Sequence, residues 1–114
     1  MRKVKVKICG LKRAQDIECV NRLLPDYIGF VFAKTRREVT EQQAAQLKAL
    51  LNPQIKAVGV FVNAEIELIA RLAKSRTIDI IQLHGDEDVA YCERLRLQTE
   101  LPIIKAVRVK DAGS

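Results

Sequence analysis

Three kinds of side chain that could do chemistry stand at separate points of this 114-residue chain. Cys9 ends the alternating run VKVKIC, Arg36 and Arg37 share one short stretch, and His84 is the only histidine. A thiolate can act as a base or a nucleophile, and loop arginines suit bidentate binding of a carboxylate or phosphate. These residue types predict a site for a small anionic substrate.

Each of these groups also has a purely structural explanation. A free cysteine is commonly a small buried apolar residue, a pair of arginines can be ordinary surface charge, and a lone histidine is more often structural than catalytic. Against the first of these, Lys5 and Lys7 share the strand parity of Cys9, and nearby cations favour the thiolate. The residues alone leave both explanations open.

His84 follows a run in which polar and apolar residues alternate. Gln82 and His84 share one parity, whereas Ile81 and Leu83 share the other. Because successive side chains of a strand point to opposite faces, the run predicts a strand with one polar face that ends near His84.

Strands and helices alternate along the whole sequence. Five apolar, β-branched runs begin near residues 3, 27, 57, 78 and 103, with helical periodicity between them. The predicted buried helix stripes are Ile17, Val20, Leu23 and Leu24; Ala44, Leu47, Leu50 and Leu51; Ile66, Ile69, Ala70 and Ala73; and Val89, Cys92, Leu95 and Arg96.

Sequence signals also mark two helix starts. Thr40-Glu41-Gln42-Gln43 has the spacing of a capping box and predicts that the second helix begins there. Asn63 is the predicted cap of the third helix. Pro53 and Pro102 precede the third and fifth strands and help to end the helices before them.

This alternation predicts an α/β fold with parallel strands and right-handed crossovers, in one domain over residues 1–114. One arrangement is part of a (β/α)₈ barrel, a (βα)₄β₅ sheet. The alternative is a rearranged, flavodoxin-like open sheet with strand order 2-1-3-4-5. The barrel is favoured because the open sheet would bury Lys5 or Lys7 under a helix.

Composition restricts the class of partner. The net charge of +6 predicts an anionic partner, but the absence of tryptophan and the scattered basic residues argue against nucleic acid. No apolar run approaches the roughly 20 residues of a membrane span. Three cysteines without C-x-x-C spacing predict a reducing, cytoplasmic setting, and one histidine argues against a zinc site.

Five sequence words occur in order at the ends of the predicted strands: KICG, GFVFAKTRREVT, VGVFVN, IQLHGDE and IIKAV. Over residues 3–109 they resemble phosphoribosylanthranilate isomerase, a (β/α)₈ enzyme of tryptophan biosynthesis. The resemblance implies an Amadori rearrangement of N-(5′-phosphoribosyl)anthranilate, without a metal or organic cofactor.

The resemblance also implies roles for individual residues. Cys9 would be the general base that removes the proton from ribose C2′. Arg37 would bind the anthranilate carboxylate and His84 would line the pocket, with Arg36 and Gln82 as further candidates. Arg36 competes with Arg37 because the loop is one residue shorter than is usual in the family.

Length is where the sequence departs from the family. A full barrel needs about 200 to 250 residues, so strands six to eight, with the general acid and the phosphate loops, are expected to be absent. We therefore expect little or no isomerase activity from the chain alone. Exposed strand edges predict a homodimer or association with a C-terminal fragment, and the alternative function is a self-associating assembly module without catalysis.

Overall fold

A computed structural model describes residues 7–33 and 38–105, with residues 7–9 described by their backbone. Five strands and four helices alternate in it. In chain order they are β1 (Lys7–Cys9), α1 (Ala14–Leu23), β2 (Tyr27–Val31), α2 (Glu41–Leu50), β3 (Lys56–Phe61), α3 (Ile66–Lys74), β4 (Ile80–Leu83), α4 (Val89–Gln98) and β5 (Ile103–Lys105). None of the four helices has the length and apolarity that a membrane crossing requires.

The five strands form one parallel sheet in the order β1-β2-β3-β4-β5. Each strand therefore pairs with its neighbour in sequence, as in a segment of a (β/α)₈ barrel. The flavodoxin-like alternative is wrong, because its order would place β3 beside β1. The lysine-bearing first strand instead lies at one edge of the described sheet.

The two faces of the sheet differ in what covers them. Ile28 lies opposite Ala57 and Phe61 opposite Leu83, and all four side chains are buried in the cluster that also contains helix residues. The helix residues of that cluster are Ile17, Val20, Ala44, Leu47, Ile69, Leu72 and Leu95. This helix-covered face holds the main core. Val60 and Gln82, which pair with each other, point to the opposite face and are only half-buried.

The predicted burial of the residues in the middle of the first three helix stripes is confirmed, but several residues at the ends of the stripes are exposed. Leu23 and Leu50 expose 66% and 54% of their surface. Both lie at the last residue of a helix, where the backbone leaves the face that packs on the sheet. Leu24 is the left-handed cap of α1 and is exposed too.

The stripes of the last two helices need larger changes. In α3 the buried residues are Ile69, Leu72 and Ala73, so the face is displaced toward Leu72. In α4 only Leu95 is buried, and Val89 exposes 74% of its surface. Val89 is the first residue of its helix and does not reach the sheet.

The predicted capping box is confirmed. The amide of Gln43 donates to Thr40 Oγ1 at 3.0 Å, and the amide of Thr40 donates to Gln43 Oε1 at 2.9 Å. The prediction for Asn63 is wrong, because α3 begins at Ile66 and Glu65 is its N-cap. Asn63 instead has a left-handed backbone with φ of 49°.

Candidate functional site

The carboxyl ends of the five strands meet along one edge of the sheet, because the strands are parallel and adjacent. The residues there are Gly10, Phe32, Val62 and Asn63, His84 to Asp86, and Lys105. The edge therefore brings together the strand ends at which Cys9 and His84 were predicted to act. The sequence predicts that the fifth strand ends near Val107–Arg108, and these two residues lie outside the described part of the chain.

Cys9 is the last residue of β1, and its Cα pairs with that of Gly29. The next amide, of Gly10, donates to the carbonyl of Gly29 at 3.0 Å, and Gly10 has a φ of 84°. The strand thus turns sharply after Cys9, in a conformation that favours glycine. The Cys9 side chain is not among the described parts, so its role as base stays a prediction.

Arg36 and Arg37 lie in the stretch 34–37, outside the described residues. The two flanks of that stretch are held together, since the amide of Val39 donates to the carbonyl of Val31 at 2.9 Å. Both flanks of the stretch therefore lie at the carboxyl end of β2. The assignment of the arginines to a substrate carboxylate stays a prediction.

The predicted polar alternation around His84 is confirmed. Ile81 and Leu83 are fully buried, Gln82 is half-buried and His84 is exposed. The amide of His84 donates to the carbonyl of Phe61 at 2.8 Å, which ties the residue to the end of β3. His84 is thus available to a ligand at the strand ends, and its substrate contact stays a prediction.

Sequence reasoning missed a buried carboxylate beside His84. The Glu87 side chain has no exposed surface. Its Oε2 accepts from the amide of Asn63 at 2.8 Å, and its Oε1 accepts from the amide of Gly85 at 2.9 Å and from Lys105 Nζ at 2.7 Å. One carboxylate therefore joins the ends of β3, β4 and β5.

The environment of Glu87 keeps it charged. Burial raises the pKa of the Glu87 carboxyl. The hydrogen bonds from Lys105 and from the backbone amides of Asn63 and Gly85 lower this pKa by more than burial raises it, so the pKa lies below its usual value of 4.5. Lys105 Nζ also donates to the carbonyl of Gly85. Glu87 and Lys105 therefore form a hydrogen-bonded ion pair, in which backbone amides hold the carboxylate and a backbone carbonyl holds the ammonium.

The loops after β3 and β4 interlock further. The amide of Asp86 donates to Asn63 Oδ1 at 3.0 Å, and a Cβ on Gly85 would stand 2.9 Å from the same oxygen. The Tyr91 hydroxyl donates to the carbonyl of Ala64 at 2.6 Å. Burial, followed by the nearby Glu87 charge, raises the pKa of Tyr91 to about 12. Tyr91 is therefore a neutral donor at physiological pH.

Some signal for the missed pair exists in the sequence. Lys105 has the parity of Ile103 in an apolar strand, and a cation on an apolar face requires an acidic partner. Which of the 14 acidic residues supplies it depends on the fold of the loop after β4 and is not visible in the sequence.

The charged groups beside the ends of β2 and β3 do not suit an anion. A groove of about 820 Å³ beside the ends of β2 and β3 is lined by Glu38, Glu41, Glu65 and Arg71, among others. Arg71 is held by Glu41, with Nη2 at 2.8 Å from Oε1. Among the side chains that the structure describes, no three of His, Cys, Asp or Glu are grouped so as to hold a metal ion.

Comparison with known proteins gives this edge a context. Residues 6–113 match the family model of N-(5′-phosphoribosyl)anthranilate (PRA) isomerase. The chain belongs to the PRA isomerase family. A PRA isomerase of Lachnoclostridium phytofermentans is 50% identical over 107 residues, which cover 94% of this chain and 49% of the relative. One of Thermoanaerobacter sp. is 48% identical over 108 residues, which cover 95% and 52%.

Solved PRA isomerases share the fold. The enzyme of Thermotoga maritima superposes with a TM-score of 0.83 at 33% identity, over 97% of this chain and 54% of that one. A PRA isomerase in complex with reduced 1-(o-carboxyphenylamino)-1-deoxyribulose 5-phosphate gives 0.82 at 33% identity, over 97% and 57%. The chain thus spans about half the length of the relatives that it matches.

Proposed function

We propose that this chain supplies the first five strands of a PRA isomerase active site. The reaction is the Amadori rearrangement of N-(5′-phosphoribosyl)anthranilate in tryptophan biosynthesis. The observation that carries the proposal is the family match over residues 6–113, combined with the meeting of the matched words at neighbouring strand ends. A self-associating module without catalysis is not favoured by this match.

In this proposal Cys9 is the general base. It takes the proton from ribose C2′, and the lysines that share its strand parity favour the thiolate that this step needs. Arg37 binds the anthranilate carboxylate, with Arg36 as the alternative in the shorter loop. His84 lines the pocket together with Gln82, which has the same parity.

Complete turnover is assigned to an assembly in which strands six to eight are also present. The relatives are about twice as long as the chain, and the resemblance places the general acid and the phosphate loops in their second half. Those strands belong either to the same polypeptide or to a separate C-terminal fragment. We place the assembly in the cytoplasm, where cysteines without disulfide spacing stay reduced.

The test is a chimera that joins this chain, after β5, to the last three strands of the Thermotoga maritima enzyme. Turnover is followed by the fluorescence of the anthranilate ring. We expect turnover by the chimera, little or none by the chain alone, and a loss of about 10² to 10⁴ in kcat on Cys9→Ala.

Cys92→Ala is the matched control, because Cys92 is half-buried on α4, and it should leave kcat close to that of the parent. A folded chimera that binds reduced 1-(o-carboxyphenylamino)-1-deoxyribulose 5-phosphate, the analogue bound in the solved complex, yet does not turn over substrate contradicts the catalytic proposal. Equal turnover with and without Cys9 shows that another group is the base.

A further inference from the structure

Glu87 is held in a way that depends on three separate strand ends. Burying a carboxylate is costly unless hydrogen bonds and an opposite charge replace its hydration. For Glu87 the replacements come from Asn63 after β3, from Gly85 after β4 and from Lys105 on β5. They reach the carboxylate together only when these three ends are correctly placed.

His84 lies in the middle of this arrangement. Its own amide is bonded to the carbonyl of Phe61, the amide of Gly85 to Glu87, and the amide of Asp86 to Asn63 Oδ1. Three consecutive amides therefore have fixed partners. Because these hydrogen bonds fix the backbone at His84 and at the two residues after it, they also fix the position of the His84 Cα, from which the exposed ring extends.

Lys105 approaches Glu87 from the helix-covered side of the sheet. Its Cα lies opposite that of Leu83, which is fully buried in the core, and not opposite Gln82. Its ammonium contacts Glu87 Oε1 and the carbonyl of Gly85. A lysine at the carboxyl end of a strand would suit an anionic ligand, but this one is occupied by a buried carboxylate.

We propose that Glu87 is a positioning residue for His84 and that Lys105 is the counter-ion that keeps Glu87 in place. The effect of Glu87 on substrate turnover rests on the proposed function, whereas the positioning of His84 by Glu87 does not. The test therefore reads His84 directly in the purified chain, by NMR. His84 is the only histidine, so its ring resonances need no separation from others.

Glu87→Gln keeps the shape of the side chain but places an amide NH₂ against donors. We expect the His84 ring resonances of the folded protein to shift or to split into several sets. The amide that then faces the NH₂, of Asn63 or of Gly85, should exchange with solvent faster by about tenfold or more, as expected for loss of a charge-assisted hydrogen bond. Glu100→Gln removes the same charge from an exposed position and should change neither observable.

A residue that only stabilises the fold would lower the melting temperature and leave the His84 resonances of the folded molecules where they are. That result overturns the proposal. Should Glu87→Gln not fold, Lys105→Met decides instead, because it keeps the carboxylate and removes the counter-ion. We expect it to move the same resonances; unchanged His84 ring and Gly85 amide signals would overturn the proposal.

The chimera separates this proposal from the proposed function. If the chimera is active, Glu87→Gln should raise KM more than it lowers kcat, because His84 lines the pocket and is not the base. If the chimera folds and binds the analogue but is inactive, the proposed function fails, and the NMR result on the chain still decides whether Glu87 positions His84.

Discussion

The rings of Phe32 and Phe61 stack, with centroids 5.2 Å apart and planes inclined by 10°. Phe61 ends β3 and is fully buried, and Phe32 directly follows β2. The pair fills the core beneath the strand ends at which the site is proposed. Phe61 also contacts the proposed site through its backbone, because its carbonyl accepts from the amide of His84 at 2.8 Å.

Replacing Phe61 with alanine should strongly destabilise the chain. The change removes the stacked ring and leaves a cavity, and such changes cost about 3–5 kcal/mol. Urea unfolding followed by circular dichroism measures the free energy. Val62→Ala is the neighbouring control, since Val62 is 43% exposed, and it should cost less than about 0.5 kcal/mol. Equal losses in the two variants would contradict this assignment of the core.

Gly85→Ala should disturb the loop that carries His84. The added Cβ would lie 2.9 Å from Asn63 Oδ1 and 3.0 Å from the backbone nitrogen of Asn63, so one of the two loops must move. Overpacking of this kind costs about 1–3 kcal/mol. Thermal unfolding measures it, with Asp86→Ala as an exposed neighbouring control. A melting temperature equal to that of the parent would show that the loops separate freely.

Acid should weaken the fold partly through Glu87. Its pKa is lowered in the folded state by Lys105 and the backbone amides despite burial, whereas the unfolded value is near 4.5. A lowered folded-state pKa gives stability that is present above the unfolded pKa and is lost as the pH falls through the folded one. The unfolding free energy should therefore fall with pH below about 4.5.

Glu87→Gln should flatten this acid dependence, measured by urea unfolding at a series of pH values. The charged groups that face the carboxylate are Lys105 on β5 and, after deprotonation, Tyr91 on α4. Glu41→Gln serves for comparison, because the pKa of Glu41 is also lowered, by the exposed partner Arg71. Glu41→Gln should change the slope of unfolding free energy against pH by less than Glu87→Gln does. A larger effect at Glu41 would mean that the buried pair is not the main acid-sensitive contact.

Cys9 should be alkylated faster than Cys19 in the native chain near neutral pH. Lys5 and Lys7 share its strand parity, and nearby cations increase the thiolate fraction. Iodoacetamide labelling followed by peptide mass spectrometry gives both rates in one sample, since Cys19 is exposed. In urea the two rates should become similar. Slower labelling of Cys9 in the native chain would favour its structural explanation.

Much of the fold could be predicted because the spacing of polar and apolar residues within each element indicates its type and its buried face. The alternation of Ile81, Gln82, Leu83 and His84 gave the correct faces of β4, and the Thr40 box gave the start of α2. Each of these depends on residues within one element. Parallel order then follows from the alternation of strands and helices.

The parts that could not be predicted depend on contacts between elements. Asn63 looks like a helix cap by type, but the loop after β4 makes it an acceptor for Asp86. Glu87 and Lys105 are distant in sequence, so no periodicity links them. Leu50 fits an apolar stripe, yet its helix ends before it can face the sheet.

The strict 1-2-3-4-5 order of the described sheet has a consequence for how the chain folds during synthesis. Each strand pairs with the one made just before it, so its partner has already left the ribosome when it emerges. Contacts between near neighbours in sequence close small loops and favour rapid folding. The chain can therefore grow its sheet one βα unit at a time, without waiting for a distant strand to begin.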